Sequence, residues 1–439
     1  MKKILPLFLF GFLCQGYAQF SAPVTVEEDS HLVTHIKPAD LNNDSFMDLL
    51  VVKKISSDVI TYYLNDGEGN FGPETSLDAG FTIYTQIAVG DFNNDGWEDV
   101  VSIGDANNEL KIFINNNLSF TETVLDTWFF FDSDITTADI DNDNDLDIIA
   151  VAGDTIKVLY NDGNANFTME AISHPMIEDF IEVTTTDIDA DGYLDIITGG
   201  SNTSVYKNNE GTITYNPTLS NSSINQSDSF LIRGADVDGD GDTDLIIADH
   251  INDGVKWYAN DGNNNFTTSQ IVSDSGVQIY NGEIADFNND GAIDIIISEE
   301  FDVVLFTNDG DGNFTTTTVQ DTEDLISEVT TADLNNDTLP DIIWSYDLSY
   351  QLNNTVLALD SFAESTSIQL YPNPSNGHFF VKSPTPATIQ VYNLQGQFVY
   401  KDIRIPEGIQ PFDLPLAPQT YIVQITTATT TKTFKVLIE

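Results

Sequence analysis

Apolar residues in this chain fall in short unbroken runs, not at helical spacing, and the same polar signature precedes each run. Leu49-Leu50-Val51-Val52, Leu245-Ile246-Ile247 and Ile295-Ile296-Ile297 follow directly on Asp48, Asp244 and Asp294. Such a run, bounded by turn-forming residues, reads as a buried strand. One stretch shows the whole unit: strands are expected over 283–287, 294–298, 303–307 and 314–319. An acidic loop joins the first pair, and Asn308-Asp309-Gly310-Asp311-Gly312-Asn313 joins the last pair. The latter is rich in residues that tolerate positive φ and reads as a hairpin turn with no chemical role.

The acidic loop is a nonapeptide, seen most fully in Asp236-Val237-Asp238-Gly239-Asp240-Gly241-Asp242-Thr243-Asp244, and copies begin at Asp40, Asp91, Asp139, Asp187, Asp236, Asp286 and Asp333. A period of roughly 48 residues with four strands in each is the proportion of a β-propeller blade, so the expected fold is all-β with a seven-bladed propeller over 20–355. The seventh copy has no fourth strand of its own after Asn353-Asn354, whereas Phe20-Ser21-Ala22-Pro23-Val24-Thr25-Val26 resembles the fourth strands elsewhere. The N-terminal strand is therefore predicted to complete the last blade and close the ring, which removes open edges.

Charge sharpens this picture. Of 439 residues, 70 are acidic and 15 basic, a formal charge of -55, which argues against nucleic acid and against anionic membranes as partners. The hydrophobic content of 41% is too high for a disordered acidic tail. Carboxylates at alternate positions repel by several kcal/mol at about 4 Å, so each loop calls for a divalent cation. Calcium, a hard ion taking six to eight oxygens, suits ligands at loop positions 1, 3, 5 and 9 with a carbonyl from position 7. The candidate ligands are Asp40, Asn42, Asp44 and Asp48; Asp91, Asn93, Asp95 and Asp99; Asp139, Asp141, Asp143 and Asp147; Asp187, Asp189, Asp191 and Asp195. They continue with Asp236, Asp238, Asp240 and Asp244; Asp286, Asn288, Asp290 and Asp294; and Asp333, Asn335, Asp337 and Asp341. No bidentate Glu stands at the twelfth position and no helix flanks the loop, so this is not an EF-hand. The Asp187 and Asp236 loops are expected to bind tightest. The Asp333 loop is expected to bind weakest, because Thr338 occupies the sixth position, where φ is positive. A site made wholly of protein oxygens leaves no place for substrate, so up to seven ions would be structural.

Loop, apolar strand and Asn-Asp-Gly turn, recurring in that order, resemble the FG-GAP or VCBS repeats of calcium-binding propellers. The resemblance implies calcium on those same loop residues. After a linker at 356–366, residues 367–439 carry Leu370-Tyr371-Pro372-Asn373-Pro374, Val391-Tyr392-Asn393-Leu394-Gln395-Gly396, Tyr421-Ile422-Val423-Gln424-Ile425 and Lys432-Thr433-Phe434-Lys435-Val436. These resemble the type A sorting domain of the type IX secretion system, which implies a small β-sandwich, contact with that secretion machinery, and release or attachment at the cell surface. Residues 1–18 read as a secretory signal: Lys2-Lys3, an apolar run too short to span a bilayer, then Gly16-Tyr17-Ala18. The single cysteine, Cys14, lies within it, so the mature chain has neither disulfides nor a transmembrane anchor.

A catalytic reading has little to stand on: there is no Gly-x-Ser-x-Gly elbow and no zinc motif. The expected function is a secreted or surface-attached binding or adhesion module for glycan or protein ligands. An extracellular polysaccharide lyase or hydrolase on the same scaffold is the alternative. The irregular propeller face was expected to carry 54–56, 105–107, 249–252, the aromatic stretch 128–131 and 174–180 as places for a ligand.

Overall fold

The structure is a computed structural model, which describes residues 19–27, 33–53, 59–77, 84–104, 108–127, 133–173, 180–200, 203–216, 229–249, 254–262, 266, 268–273, 276–354, 369–371, 378–383, 385–393, 397–406, 408–413, 419–427 and 431–438. The secretory signal, the linker at 356–366 and most of the irregular-face segments named above lie outside these residues. The chain divides into two compact units at Val356.

The first unit holds seven four-stranded antiparallel sheets. The second strand of each begins at the ninth loop residue: Asp48–Lys53, Asp99–Gly104, Asp147–Ala152, Asp195–Gly200, Asp244–Asp249, Asp294–Glu299 and Asp341–Trp344. These strands are apolar on both faces because both faces are covered. Leu49, Leu50, Val51 and Val52 all have no solvent exposure. Each hydrophobic cluster draws on two adjacent sheets. Val101 and Ile103 pack with Ile148 and Ala150, for instance, and Ile296 and Val303 with Ile342 and Trp344. Packing of sheet on sheet thus runs in one direction around the unit. It closes where Val33, Ile36, Leu49 and Val51 meet Leu334, Ile343 and Tyr350.

Closure at the chain ends follows the sequence expectation. Val24–Thr25 pairs antiparallel with Ser349–Gln351, in the register Val24 to Tyr350 and Thr25 to Ser349. The seal extends beyond this ladder. Ser21 N–H donates to Leu352 O at 2.8 Å and Asn354 N–H to Gln19 O at 2.6 Å, while the Phe20 ring meets Phe287 edge-on with centroids 6.4 Å apart. One blade therefore has strands from both termini, a clasp that ties the ends of the unit together.

The second unit has a three-stranded sheet, Gln369–Tyr371, His378–Ser383 and Gly408–Asp413, and a four-stranded sheet, Phe398–Ile405, Ala387–Tyr392, Gln419–Thr426 and Thr431–Ile438. Ala387, Ile389 and Val391 alternate inward with Tyr421, Val423 and Ile425, and Val381 of the other sheet joins the same core. The period-2 pattern of these strands is that of a sandwich with one wet face on each sheet.

Because the N-terminal strand covers the edge of Ser349–Gln351, a mature chain lacking residues 19–26 is expected to melt at lower temperature and to associate. Differential scanning calorimetry with light scattering checks this, and an unchanged melting temperature would argue against the clasp.

Candidate metal centres

Each acidic loop folds around its own first aspartate. In the Asp91 loop the Asp91 carboxylate accepts the N–H groups of Asp95 at 3.1 Å and Gly96 at 2.8 Å, and Asp95 accepts the N–H of Trp97 at 2.9 Å. Equivalent bonds recur in five other loops, and in the Asp236 loop the donors are the N–H groups of Gly239 at 2.8 Å and Gly241 at 3.0 Å. Such tight winding needs left-handed backbone at two positions in every loop. The sixth residue is one, with Gly96 at φ 88° and Gly241 at 95°, but also Ser45 at 73° and Thr338 at 72°. The fourth is the other, as in Asn43, Asn94 and Gly239 at 55°, 57° and 75°. Asn and Gly recur at the fourth position because they tolerate αL. The β-branched Thr338 is strained there, as the sequence suggested.

The ninth aspartates are fully buried, and two backbone donors hold each one. In the third blade Asp147 Oδ2 accepts the N–H of Ile140 at 3.0 Å and Oδ1 the N–H of Asn161 at 2.8 Å. Asn161 ends the third strand, and its amide goes further: Nδ2 donates to Leu146 O at 3.1 Å and to Phe92 O, in the preceding blade, at 2.8 Å. All seven blades repeat the inter-blade bond, from Asn65 to Leu334 O, Asn115 to Leu41 O, Asn208 to Ile140 O, Asn260 to Ile188 O, Asn308 to Val237 O and Asn353 to Phe287 O. This corrects the reading of the Asn-Asp-Gly turn as a hairpin signal alone. Its Asn is the latch between blades, and for that reason Asn115 and Asn208 persist where the turn is degraded. The signal was an asparagine closing each third strand, visible in the sequence without its partner.

The third loop position sorts the sites. In four loops it is Asn, and the amide donates to the fifth-position carboxylate: Asn42 to Asp44 at 2.8 Å, Asn93 to Asp95 at 3.0 Å, Asn288 to Asp290 at 2.8 Å and Asn335 to Asp337 at 3.0 Å. In the other three it is Asp, and carboxylate oxygens from positions 1, 3 and 9 lie within 4.8 Å of one another: Asp139, Asp141 and Asp147; Asp187, Asp189 and Asp195; Asp236, Asp238 and Asp244. Among the described residues no other group of this kind occurs. Buried Asp141 Oδ1, Asp189 Oδ1 and Asp238 Oδ1 have no hydrogen-bond partner. An unpaired buried carboxylate oxygen costs several kcal/mol unless a cation completes it, so the Asp139 and Asp236 loops fit a divalent ion, whereas in the Asp187 loop Asp189 Oδ2 already holds the Lys207 ammonium. A bound ion would take carboxylate oxygens of the loop and neutralise the charge that the crowded aspartates share.

Burial pushes the ninth carboxylates up, against the opposing pull of their two backbone hydrogen bonds. Asp48 and Asp341 rise to about 7, and Asp99, Asp147, Asp195, Asp244 and Asp294 to about 6. Asp141 and Asp238 are raised by burial and then by their neighbours Asp143 and Asp240.

The first strands of the blades surround a second polar site, a cavity of about 300 Å³ on the axis of the ring, lined by His35, Gln86, Asp134, Glu182, Arg233 and Glu328 among others. Arg233 forks onto Glu283 at 3.2 and 3.0 Å and onto Glu182 at 2.9 Å. Burial raises the Glu182 carboxyl to about 8, with Asp134 adding and Arg233 opposing. Burial also works against ionised Glu283, but Arg233 holds that carboxyl below its usual value. His35 Nδ1 lies 3.7 Å from Glu328, yet burial and Lys37 lower the imidazole to about 4, so the contact is not ionic at neutral pH. No motif announced this cavity, because its lining comes one to three residues at a time from separate blades.

Two outcomes are expected from these contacts. Asn161→Ala removes the amide donor shared by Leu146 O and Phe92 O, the latter keeping the N–H of Ala165 at 2.9 Å, and should cost about 1–3 kcal/mol of stability, read by denaturant unfolding in calcium; a loss under about 0.5 kcal/mol would remove the latch from the account. For pH, the raised ninth carboxylates contribute stability that is full below their unfolded values and lost as pH rises through 6 to 7. In chelator the melting temperature should therefore fall from pH 5 to pH 8, whereas saturating calcium, which favours the ionised form, should flatten or reverse that trend. Parallel curves in the two buffers would contradict it.

Comparison with known proteins agrees with this geometry. The FG-GAP-like repeat matches residues 40–102, 91–150, 139–198, 236–297 and 286–344, and the secretion system C-terminal sorting domain matches residues 369–439. No curated protein matches the chain. Among solved structures, a lectin of Agrocybe aegerita, described as recognising non-reducing terminal N-acetylglucosamine, is 20% identical. It aligns over 66% of this chain and 81% of its own with a TM-score of 0.51. BBS1N in complex with ARL6DN, from a lead-soaked crystal, is 11% identical over 76% of this chain and 96% of its own, TM-score 0.52. At such identities these likenesses speak for the fold. The seven loop-bearing sheets and the matched repeats place the chain in the FG-GAP-like repeat family, as an all-β propeller followed by a type IX sorting domain that directs it to the cell surface or beyond.

Proposed function

We propose that this protein is an extracellular or surface-attached binding and adhesion module, a propeller stiffened by calcium, with glycan or surface protein as its ligand. The observation that carries this reading is the sorting domain at 369–439 behind a repeat propeller. Export to the cell exterior places the propeller among polysaccharides and surface proteins, and the fold likeness to a lectin favours glycan. Calcium is the ion whose coordination suits an all-oxygen loop. It would supply charge neutralisation there.

The acidic axial cavity does not favour an enzyme. Two of its carboxylates, Glu182 and Glu283, are engaged by one arginine, an arrangement that holds blades together. The metal loops and asparagine latches occupy one face of the ring, so the ligand surface is assigned to the opposite face. That face carries Phe301 and Leu325, 44% exposed each, beside the connection from the sixth blade to the seventh.

A screen of the mature protein against immobilised polysaccharides and cell-surface proteins, with and without chelator, tests the reading. Retention on one ligand class, lost in chelator, with no shortening of the polysaccharide, is the expected result. Release of oligosaccharides would establish the enzyme alternative.

A further inference from the structure

The three aspartate-rich loops are alike in their carboxylates but not in what faces them. In the fourth blade, strand Ser204–Asn209 carries Lys207 directly before the latch residue Asn208. At that position the other blades have Leu64, Ile114, Tyr160, Ala259, Thr307 and Leu352, none of them charged. The Lys207 ammonium contacts Asp189 Oδ2 and lies 3.6 Å from Asp191 Oδ2, and the Lys207 and Asp189 side chains are only 18% and 15% exposed. Asp189 and Asp191 are the third and fifth residues of the Asp187 loop, two of its would-be ligands.

We infer that Lys207 is a built-in counter-cation that stands in for the metal ion at the Asp187 loop, making it the calcium-independent member of the three aspartate-rich loops. The inference rests on the calcium reading above. A divalent ion entering between Asp187, Asp189 and Asp195 would meet a positive charge already held on Asp189, and like charges a few ångströms apart in a half-buried site repel strongly. Either the ion is excluded or the lysine must swing away and leave a partner it holds under partial burial. The Asp139 and Asp236 loops have no such ammonium among the described contacts, so no charge competes with an ion for Asp141 Oδ1 and Asp238 Oδ1; Asp189 Oδ1 is equally without a partner, but the other oxygen of its carboxylate carries the lysine. The expectation that the Asp187 loop ranks with the tightest sites is thereby revised. Position 3 alone does not decide affinity, because a residue 18 positions further on supplies the charge.

The test uses the full mature chain, stripped with chelator and titrated with calcium by isothermal titration calorimetry. Wild type is compared with Lys207→Leu, a residue two other blades carry at this position, with Lys207→Arg, and with the double variant Lys207→Leu/Asp189→Asn. Circular dichroism confirms that each variant is folded. Lys207→Leu should take up one more ion per chain than wild type, or bind at one loop at least tenfold more tightly. Lys207→Arg should match wild type, and Asp189→Asn in the leucine background should abolish the gain. In chelator Lys207→Leu should melt below wild type, and in calcium the two should converge. Equal, non-zero uptake by wild type and a folded Lys207→Leu would overturn this inference alone. No uptake by either would overturn the calcium reading together with it.

Discussion

The propeller depends on a buried carboxylate that cannot be left alone. The ninth aspartate of every loop is removed from water at the head of a fully covered strand, where an uncompensated charge would cost several kcal/mol. Its own loop answers with one backbone N–H, and the asparagine at the end of the third strand answers with another. That asparagine then donates its amide to a loop carbonyl of the preceding blade. One chemical need, the satisfaction of a buried acid, thus ties loop to strand and blade to blade, repeated through all seven sheets and carried across the closure by Asn65.

The same need explains how the loops diverge. A cluster of aspartates requires positive charge or hydrogen-bond donors, and the chain meets that requirement in different ways. Four loops use an asparagine amide that donates to the fifth-position carboxylate. In the other three a buried oxygen of the third-position aspartate has no hydrogen-bond donor, and in one of these an ammonium sits among the acids. The asparagine oxygen accepts the N–H of the fifth residue in each of these loops, and the neutral amide lowers the local charge and so the pull on a cation. The charge of the aspartates is thus answered differently around a ring whose blades look alike by sequence.

At the axis the acids are handled differently again. Arg233 gathers Glu182 and Glu283 from the blades on either side of its own, and Asp134 accepts the N–H of Val183 from the next blade at 2.8 Å. The first strands are therefore joined by polar contacts around a wet cavity, whereas the second and third strands are joined by apolar packing.

Much of this architecture was legible in the residues. The period of the Asp-rich nonapeptide set the number of blades, the apolar run after each ninth aspartate set the buried strand, and the missing fourth strand after Asn354 pointed to the segment around Val24 as its replacement. These are local patterns, and local patterns survive in a linear string. What needed the folded chain were relations between residues far apart in sequence. Asn161 finds Phe92 O, 69 residues away; Lys207 finds Asp189 from the neighbouring strand; and Asp134, Glu182, Arg233 and Glu328 meet only because consecutive first strands converge on one axis. Each of those residues is unremarkable in its own neighbourhood. Sequence determines which strands form and which carboxylates crowd together, because both follow from spacing, but the cation or donor that answers each carboxylate is chosen by where the ring brings another blade's side chain.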